Sequence, residues 1–324
     1  MTSTESAVKV AILDDYQNVA LQMADWSPLA GRAAITVFND HLDDPDAVAA
    51  RLAPFEVVCV MRERTPLTRG LLERLPRLKL IASTAFRNAS IDLQAARERG
   101  IAVANTGYDS TPTIEMTWAL ILASARHVVA ENASLRSGGW QRSIGNDLKG
   151  KTLGVLGLGN IGGEVARIGH AFGMRVIAWS ENLTAEKAAA AYAEHVRKDE
   201  LFRRSDVLTI HLVLGQRSRG LVGAAELALM KPTAWLVNTS RGPIVEDSAL
   251  TAALREHRIA GAAVDVFDVE PLPVDHPYRS FDNMLATPHI GYVSLNLYRA
   301  FYGDTVRNIL AWLDGAPFPA TGAS

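Results

Sequence analysis

Short runs of apolar, β-branched residues alternate with stretches of helical periodicity along almost the whole chain. In the first third, the runs at 8–13, 35–38, 57–61, 80–82 and 101–104 are predicted strands. Helices fall between them: Asp44 followed by Pro45 is a cap with a first-turn proline, and the pattern at 92–99 stops at Gly100. Strand, helix, strand in succession means parallel strands joined by crossovers. One long helix is predicted at 112–129. Its apolar residues Ile114, Met116, Trp118, Leu120, Ile121, Leu122 and Val128 spread around much of the circumference, which predicts burial on several sides. After the loop Ser137-Gly138-Gly139-Trp140, a second series opens, with strands at 153–156, 175–179, 207–212, 234–238, 261–266 and 284–286. Six such strands with helices between them describe a doubly wound sheet. A last helix is predicted at 295–313, followed by a small, proline-bearing, loose tail at 314–324. The pattern predicts an α/β domain of 107–291 inserted into another made of 1–106 and 292–324.

Length agrees with two cores, because 324 residues exceed one ordinary domain. Lys+Arg 33 against Asp+Glu 35 leaves a net charge of -2, so neither a nucleic-acid binder nor an acidic solvating chain is expected. The lone Cys59 excludes an internal disulfide and any multi-cysteine metal site, and no metal is expected. Its place in the run Val57-Val58-Cys59-Val60 reads as a small buried strand residue, and the usage fits a reducing compartment. Residues 1–6 are polar and lack a basic start, so no signal peptide is read. No window approaches the roughly 18 apolar residues of a membrane helix. The expectation is a soluble, cytoplasmic protein with neither nucleic-acid nor membrane partners.

Chemistry first enters at Leu153-Gly154-Val155-Leu156-Gly157-Leu158-Gly159-Asn160-Ile161-Gly162, an apolar strand running into G-x-G-x-x-G with a helical pattern behind it. The first glycine permits a tight turn, the second lets backbone approach a pyrophosphate, and the third lets helix and strand pack closely. Gly157, Gly159, Asn160, Ile161 and Gly162 are therefore candidate dinucleotide contacts. The second strand of an NAD site should end in an acid for the adenosine ribose. Here that place is Ser180, with Glu181 next, which leaves NAD against NADP open.

Three charged groups follow three later strands. Arg241 stands in Leu236-Val237-Asn238-Thr239-Ser240-Arg241-Gly242, Glu270 follows Val264-Asp265-Val266-Phe267, and His289 lies in Thr287-Pro288-His289-Ile290-Gly291. All leave the carboxyl edge of the sheet, where open α/β sheets bind ligands, so groups remote in sequence can converge. Moving a hydride between a nicotinamide and a C2 carbonyl needs a proton donor, and His289 suits. Glu270 on the other ring nitrogen would fix the tautomer and favour the imidazolium. The planar guanidinium of Arg241 can hold a substrate carboxylate and polarise its carbonyl.

At these residues, together with Gly150-Lys151-Thr152 before the glycine loop and Glu270-Pro271-Leu272-Pro273, the sequence resembles the D-isomer-specific 2-hydroxyacid dehydrogenase family. The resemblance spans about 105–291. It implies a Rossmann NAD(P)-binding domain inserted into a flavodoxin-like substrate domain, and an oxidoreductase acting on the CH–OH group of a small 2-hydroxyacid of the glyoxylate, hydroxypyruvate or phosphoglycerate type. It also implies Arg241, Glu270 and His289 as the catalytic trio. Thr239, Asp265 and Gly291 are implied at the nicotinamide half of the cofactor site, and His211 and Ser240 join the cofactor candidates, with Arg241 and His289 counted there too. The family's substrate turn after the fourth strand, usually glycine-rich, reads Ser83-Thr84-Ala85-Phe86-Arg87-Asn88. Candidate substrate residues are thus Arg62, Thr84, Ala85, Phe86 and Arg241; Arg62, Arg64 and Arg87 read as solvated surface arginines or, as the alternative, as a cationic wall for a second acidic group. Family members are usually dimers, and a homodimer is expected. The alternative is an NAD(H)-sensing, corepressor-like interaction protein, since such proteins resemble the dehydrogenases down to the same trio.

Overall fold

The structure, a computed structural model, describes residues 7–319; the expectations for residues 1–6 and for the end of the tail fall outside these. The described residues divide into two compact units, one running to Asp109 and resuming at Ser294, the other Ser110–Val293. Both junctions lie a few residues beyond the expected ones.

In the first unit, β1 (Val8–Ile12), β2 (Ala33–Val37), β3 (Val57–Val60), β4 (Leu80–Ser83) and β5 (Ala102–Asn105) form a parallel sheet of order β2-β1-β3-β4-β5. This is the flavodoxin-like order. One face is covered by α1 (Pro45–Leu52), α2 (Arg69–Leu72) and α3 (Leu93–Glu98), which bury Val48, Leu52, Leu71, Leu72 and Ala95 on Val58, Val60 and Ile81. Asp44 caps α1 by accepting from the amides of Asp46 and Ala47, and Asp92 caps α3 at Ala95. The last helix, Leu295–Leu313, packs on β4 and β5 and buries Tyr298, Phe301 and Tyr302. Asn308 Nδ2 donates to the Asn105 carbonyl at 2.9 Å, and Asp304 accepts from the Gly107 amide at 2.8 Å, which fixes the helix in register. Cys59 is buried, and desolvation pushes its thiol up to about 12, so it is an inert strand residue.

The second unit carries β6 (Thr152–Leu156), β7 (Arg175–Trp179), β8 (Glu194–His195), β9 (Val207–Ile210), β10 (Trp235–Asn238), β11 (Gly261–Val264) and β12 (Met284–Ala286). They form one parallel sheet of order β12-β11-β10-β9-β6-β7-β8. The sequence pattern missed β8. It has two exposed residues at the sheet edge and so shows no apolar run. The helices are α4 (Thr111–Ala125), α5 (Val128–Arg136), α6 (Asn160–Ala171), α7 (Ala185–Ala190), α8 (Lys198–Arg204), α9 (Ala224–Leu229) and α10 (Asp247–Arg255). Both faces of the sheet are buried. Val155, Val176, Ala178, Val237 and Ala263 meet Trp118 and Ile121 of α4 and Val165 of α6; Ile177, Leu208, Leu236 and Val264 meet Phe202, Leu227 and Leu250 from α8, α9 and α10.

The single helix expected at 112–129 is two. His127 takes a left-handed φ of 52°, and Asn146 N–H caps the Ala125 carbonyl at 2.7 Å, so α4 ends and α5 starts in a new direction. Burial on α4 follows one broad arc, with Leu122 on its open side. No helix among the described residues is long and apolar enough to cross a membrane.

Candidate active site

The register of the seven-stranded sheet builds the site. Trp179, Leu156, Ile210, Asn238, Val264 and Ala286 stand in one row across adjacent strands. The next residue of each strand therefore forms the front row of the carboxyl edge: Ser180, Gly157, His211, Thr239, Asp265 and Thr287. Side chains alternate along a strand, and Val155, Val237 and Ala263, two residues behind, face α4 and α6. The front row turns its side chains the same way.

The glycine loop has the shape a dinucleotide needs. Gly157 has φ +100°, and a Cβ there would lie 2.7 Å from the His211 carbonyl oxygen; a Cβ on Gly162 would lie 2.0 Å from the Gly157 oxygen. Gly157 must be glycine for the turn to pass the chain leaving β9, and Gly162 for α6 to approach that turn. At Gly159, by contrast, an added Cβ would meet nothing within 4 Å. That open side lies at the start of α6, where Gly159 is the cap residue and Asn160, Ile161 and Gly162 are the first turn. Helix-terminal amides beside open space are what a pyrophosphate occupies. At the end of β7, Ser180 is half-buried and Glu181 exposed.

Beside this loop, packing atoms strip water from His211 and push it down to about 3, so it is neutral; its Nε2 lies 2.9 Å from Thr209 Oγ1. Thr239 is buried, its hydroxyl 2.7 Å from that of Thr117 on α4. Asp265 is buried too, and desolvation raises its carboxyl above the usual range. Its Oδ1 accepts from the Thr287 hydroxyl at 2.6 Å and the Ile290 amide at 2.9 Å, and its Oδ2 from the Gly291 amide at 2.7 Å. Gly291 has no room for a Cβ, which would sit 2.9 Å from Asp265 Oδ2. Asp265 thus grips the turn 287–291 at three points, and the residue at its apex, His289, holds a left-handed φ of 51°.

The His289 ring itself is held by a second carboxylate. Its Nδ1 lies 2.5 Å from Glu270 Oε2, while Glu270 Oε1 accepts from the Phe267 amide at 2.8 Å, so both carboxylate oxygens are fixed. Tyr292 stands edge-on to the imidazole at 5.3 Å. An N–H on Nδ1 donating to the carboxylate leaves Nε2 to exchange a proton with a ligand. Arg241 is set by the preceding turn: Asn238 Oδ1 accepts from the Ser240 amide and its Nδ2 donates to the Arg241 carbonyl, both at 3.0 Å. Ser240 Oγ donates to the Leu212 carbonyl, and Arg241 Nη1 to the Ser240 carbonyl at 2.8 Å. A Cβ on Gly242 would lie 2.1 Å from the Phe267 carbonyl carbon, so the loop bearing Arg241 touches the one bearing Glu270 backbone to backbone.

The candidates of the first unit are more occupied than the sequence suggested. Thr84 Oγ1, buried, accepts from the Arg62 amide at 2.8 Å, and the Ala85 amide donates to Thr106 Oγ1 at 2.6 Å. Ala85 adopts φ 66°, the conformation for which a glycine would be the easy choice. Phe86 is 56% exposed and lies edge-on to Tyr108, over which the Arg62 guanidinium also sits at 5.2 Å. Arg64 is engaged within the first unit through its guanidinium. Its Nη1 donates to the Asp14 carbonyl at 2.6 Å, and its guanidinium lies over Tyr16 at 4.5 Å, because the buried turn after β1 needs a donor there. Arg87 is exposed, 5.8 Å from the centre of the Phe86 ring.

Sequence reasoning missed Thr117 and Thr287. The only signal for Thr117 was a hydroxyl among apolar neighbours on the buried arc of α4; Thr287 becomes legible only when the register places it beside Asp265.

A parallel sheet with a glycine-bound turn, and an Arg, a Glu and a His on loops leaving the same edge, defines a dinucleotide-linked oxidoreductase. The profile of the NAD-binding domain of D-isomer-specific 2-hydroxyacid dehydrogenases matches residues 118–291. A glyoxylate reductase of Aeropyrum pernix is 44% identical over 255 residues, 76% of this chain and 76% of that protein. A hydroxypyruvate reductase of Thermotoga maritima is 37% identical, covering 87% of this chain and 91% of its own. The crystal structure of a phosphoglycerate oxidoreductase of Vibrio cholerae superposes with a TM-score of 0.90 at 38% identity, over 95% of this chain and 100% of the other. The chain belongs to the D-isomer-specific 2-hydroxyacid dehydrogenase family and is an enzyme with an NAD-binding domain.

Proposed function

We propose that the protein interconverts a small 2-oxoacid and its D-2-hydroxyacid with NAD(H), glyoxylate and hydroxypyruvate being the substrate class. The observation that carries this reading is the His289–Glu270 pair, 2.5 Å apart beyond the carboxyl edge of a dinucleotide fold. When bound, the dinucleotide supplies or accepts the hydride at C2. His289 Nε2 gives a proton to the C2 oxygen in reduction and takes it back in oxidation, with Glu270 keeping the Nδ1 proton in place. Arg241 receives the substrate carboxylate through its planar fork. Gly157, Gly159, Asn160, Ile161 and Gly162 hold the pyrophosphate; Ser180 and Glu181 face the adenosine ribose; His211, Thr239, Ser240, Asp265 and Gly291 line the nicotinamide half.

NAD is favoured over NADP because Glu181 brings a carboxylate to the place where a 2′-phosphate would need a cation. The relatives named for glyoxylate and hydroxypyruvate support this substrate class. A homodimer is proposed from the exposed apolar side chains after α4, including Trp140 at 74% and Ile144 at 94% exposure, and a cytoplasmic location from the single, buried, reduced thiol.

The test is loss of absorbance at 340 nm with NADH and NADPH in parallel against glyoxylate, hydroxypyruvate, pyruvate, phenylpyruvate and 3-phosphohydroxypyruvate. Oxidation of NADH with glyoxylate or hydroxypyruvate is expected. His289→Ala should lower kcat by about 10²-fold or more in protein that still binds NADH. Near wild-type turnover in that variant would overturn the mechanism, and silence with every oxoacid despite NADH binding would transfer the function to cofactor sensing.

A further inference from the structure

The hydroxyl pair beneath the front row has a direction that can be read by counting protons. Thr117 Oγ1 lies 2.8 Å from the Thr113 carbonyl oxygen one turn back on α4, and a carbonyl oxygen can only accept. The single proton of Thr117 is therefore spent within its own helix. Thr117 Oγ1 also lies 2.7 Å from Thr239 Oγ1, and with its proton committed it can only accept there. Thr239 must be the donor. Thr117 is fully buried and Thr239 only 6% exposed, so water does not compete for either proton. Thr239, one residue past β10 in the front row, is left with lone pairs alone to offer a ligand.

We propose that Thr117 is a positioning residue that makes Thr239 an acceptor-only group, and so selects a dinucleotide whose nicotinamide substituent carries an N–H. This rests on the reading above that Thr239 lines the nicotinamide half. The carboxamide of NAD has the required N–H₂. The acetyl group of 3-acetylpyridine adenine dinucleotide replaces it by a methyl and retains only an acceptor oxygen, which faces lone pairs with nothing to share. Removing the Thr117 hydroxyl frees the Thr239 proton to turn toward that oxygen, so discrimination between the two dinucleotides should collapse even though Thr117 touches neither.

The experiment is calorimetric titration of the full protein with NAD and with 3-acetylpyridine adenine dinucleotide, without substrate. In Thr117→Val, the ratio of the two Kd values should fall by about three- to tenfold, the span of one hydroxyl hydrogen bond. Thr117→Ser, which keeps the hydroxyl, should restore the wild-type ratio. On a Thr239→Val background, Thr117→Val should leave the ratio unmoved, because no hydroxyl remains to be turned. An unchanged ratio in Thr117→Val with NAD still bound, or a shift that persists on the Thr239→Val background, would overturn the role of Thr117. Failure of the wild-type protein to bind NAD at all would instead overturn the functional reading beneath it.

Discussion

Gly162→Ala and Gly163→Ala are neighbouring substitutions of identical chemistry for which the structure dictates opposite outcomes. Both lie in the first turns of α6. A methyl at 162 would sit 2.0 Å from the Gly157 oxygen, 3.1 Å from the Gly157 carbonyl carbon and 3.2 Å from a Val155 methyl; one at 163 would meet nothing within 4 Å. Carbon and oxygen need about 3.4 Å, so at 162 the turn and helix must separate by more than an ångström against a packed sheet. Overpacking of this kind costs about 1–3 kcal/mol, and the offending atom is backbone, which places this site at the upper end. At 163, alanine gains about 1 kcal/mol of helix propensity and costs nothing in contact. For a unit of this size, about 2–4 °C of Tm accompany each kcal/mol, so Gly162→Ala should melt about 6–12 °C below wild type and Gly163→Ala about 2–4 °C above it. Calorimetric melts of the two variants, with NADH titrations at 20 °C, make the assay. Gly162→Ala should also lose NADH affinity, since its displaced turn carries Gly157 and Gly159. Equal melting points for the two variants, or wild-type NADH affinity in Gly162→Ala, would refute the close approach.

Arg241→Lys keeps the charge but loses the planar fork, and it should raise the oxoacid KM and lower kcat/KM by about 10²-fold, read from steady-state kinetics. Asp265→Asn turns one of the three accepting contacts on Thr287, Ile290 and Gly291 into a clash of donors, costing about 1–3 kcal/mol. Hydrogen exchange should show the Ile290 and Gly291 amides losing protection first, and kcat should fall because His289 rides on that turn. His41 donates to buried Asp14 at 2.8 Å, and that bond raises its pKa above 6.5. A raised histidine stabilises the fold fully below its unfolded pKa and loses the effect as pH rises through the folded value. The stability gap between wild type and His41→Gln in urea should therefore be widest below the unfolded histidine pKa and narrow as pH rises through the folded one; a gap that widens with pH would contradict this pair.

Much of this molecule was legible in one dimension because its strands are buried on both faces. Continuous runs such as Val57-Val58-Cys59-Val60 and Leu153-Gly154-Val155-Leu156 can be nothing else in a chain punctuated by helices, and the glycine spacing after β6 reports one positive-φ turn at Gly157 and one close backbone approach at Gly162. Arg241, Glu270 and His289 could be singled out as candidates because the topology of a parallel sheet sends every strand's exit to one edge, whatever the intervening sequence. The tertiary structure alone decided what depends on register and on contacts between distant segments. It placed Thr239, Asp265 and Thr287 side by side, gave Asp265 the task of gripping the histidine turn, set the direction of the Thr117–Thr239 hydrogen bond, broke the helix at His127 and turned Arg64 inward onto Asp14. Periodicity records which face of an element is apolar. It is blind to which polar atom meets which, because a hydrogen bond is a matter of a few tenths of an ångström between residues more than a hundred positions apart, as Thr117 and Thr239 are.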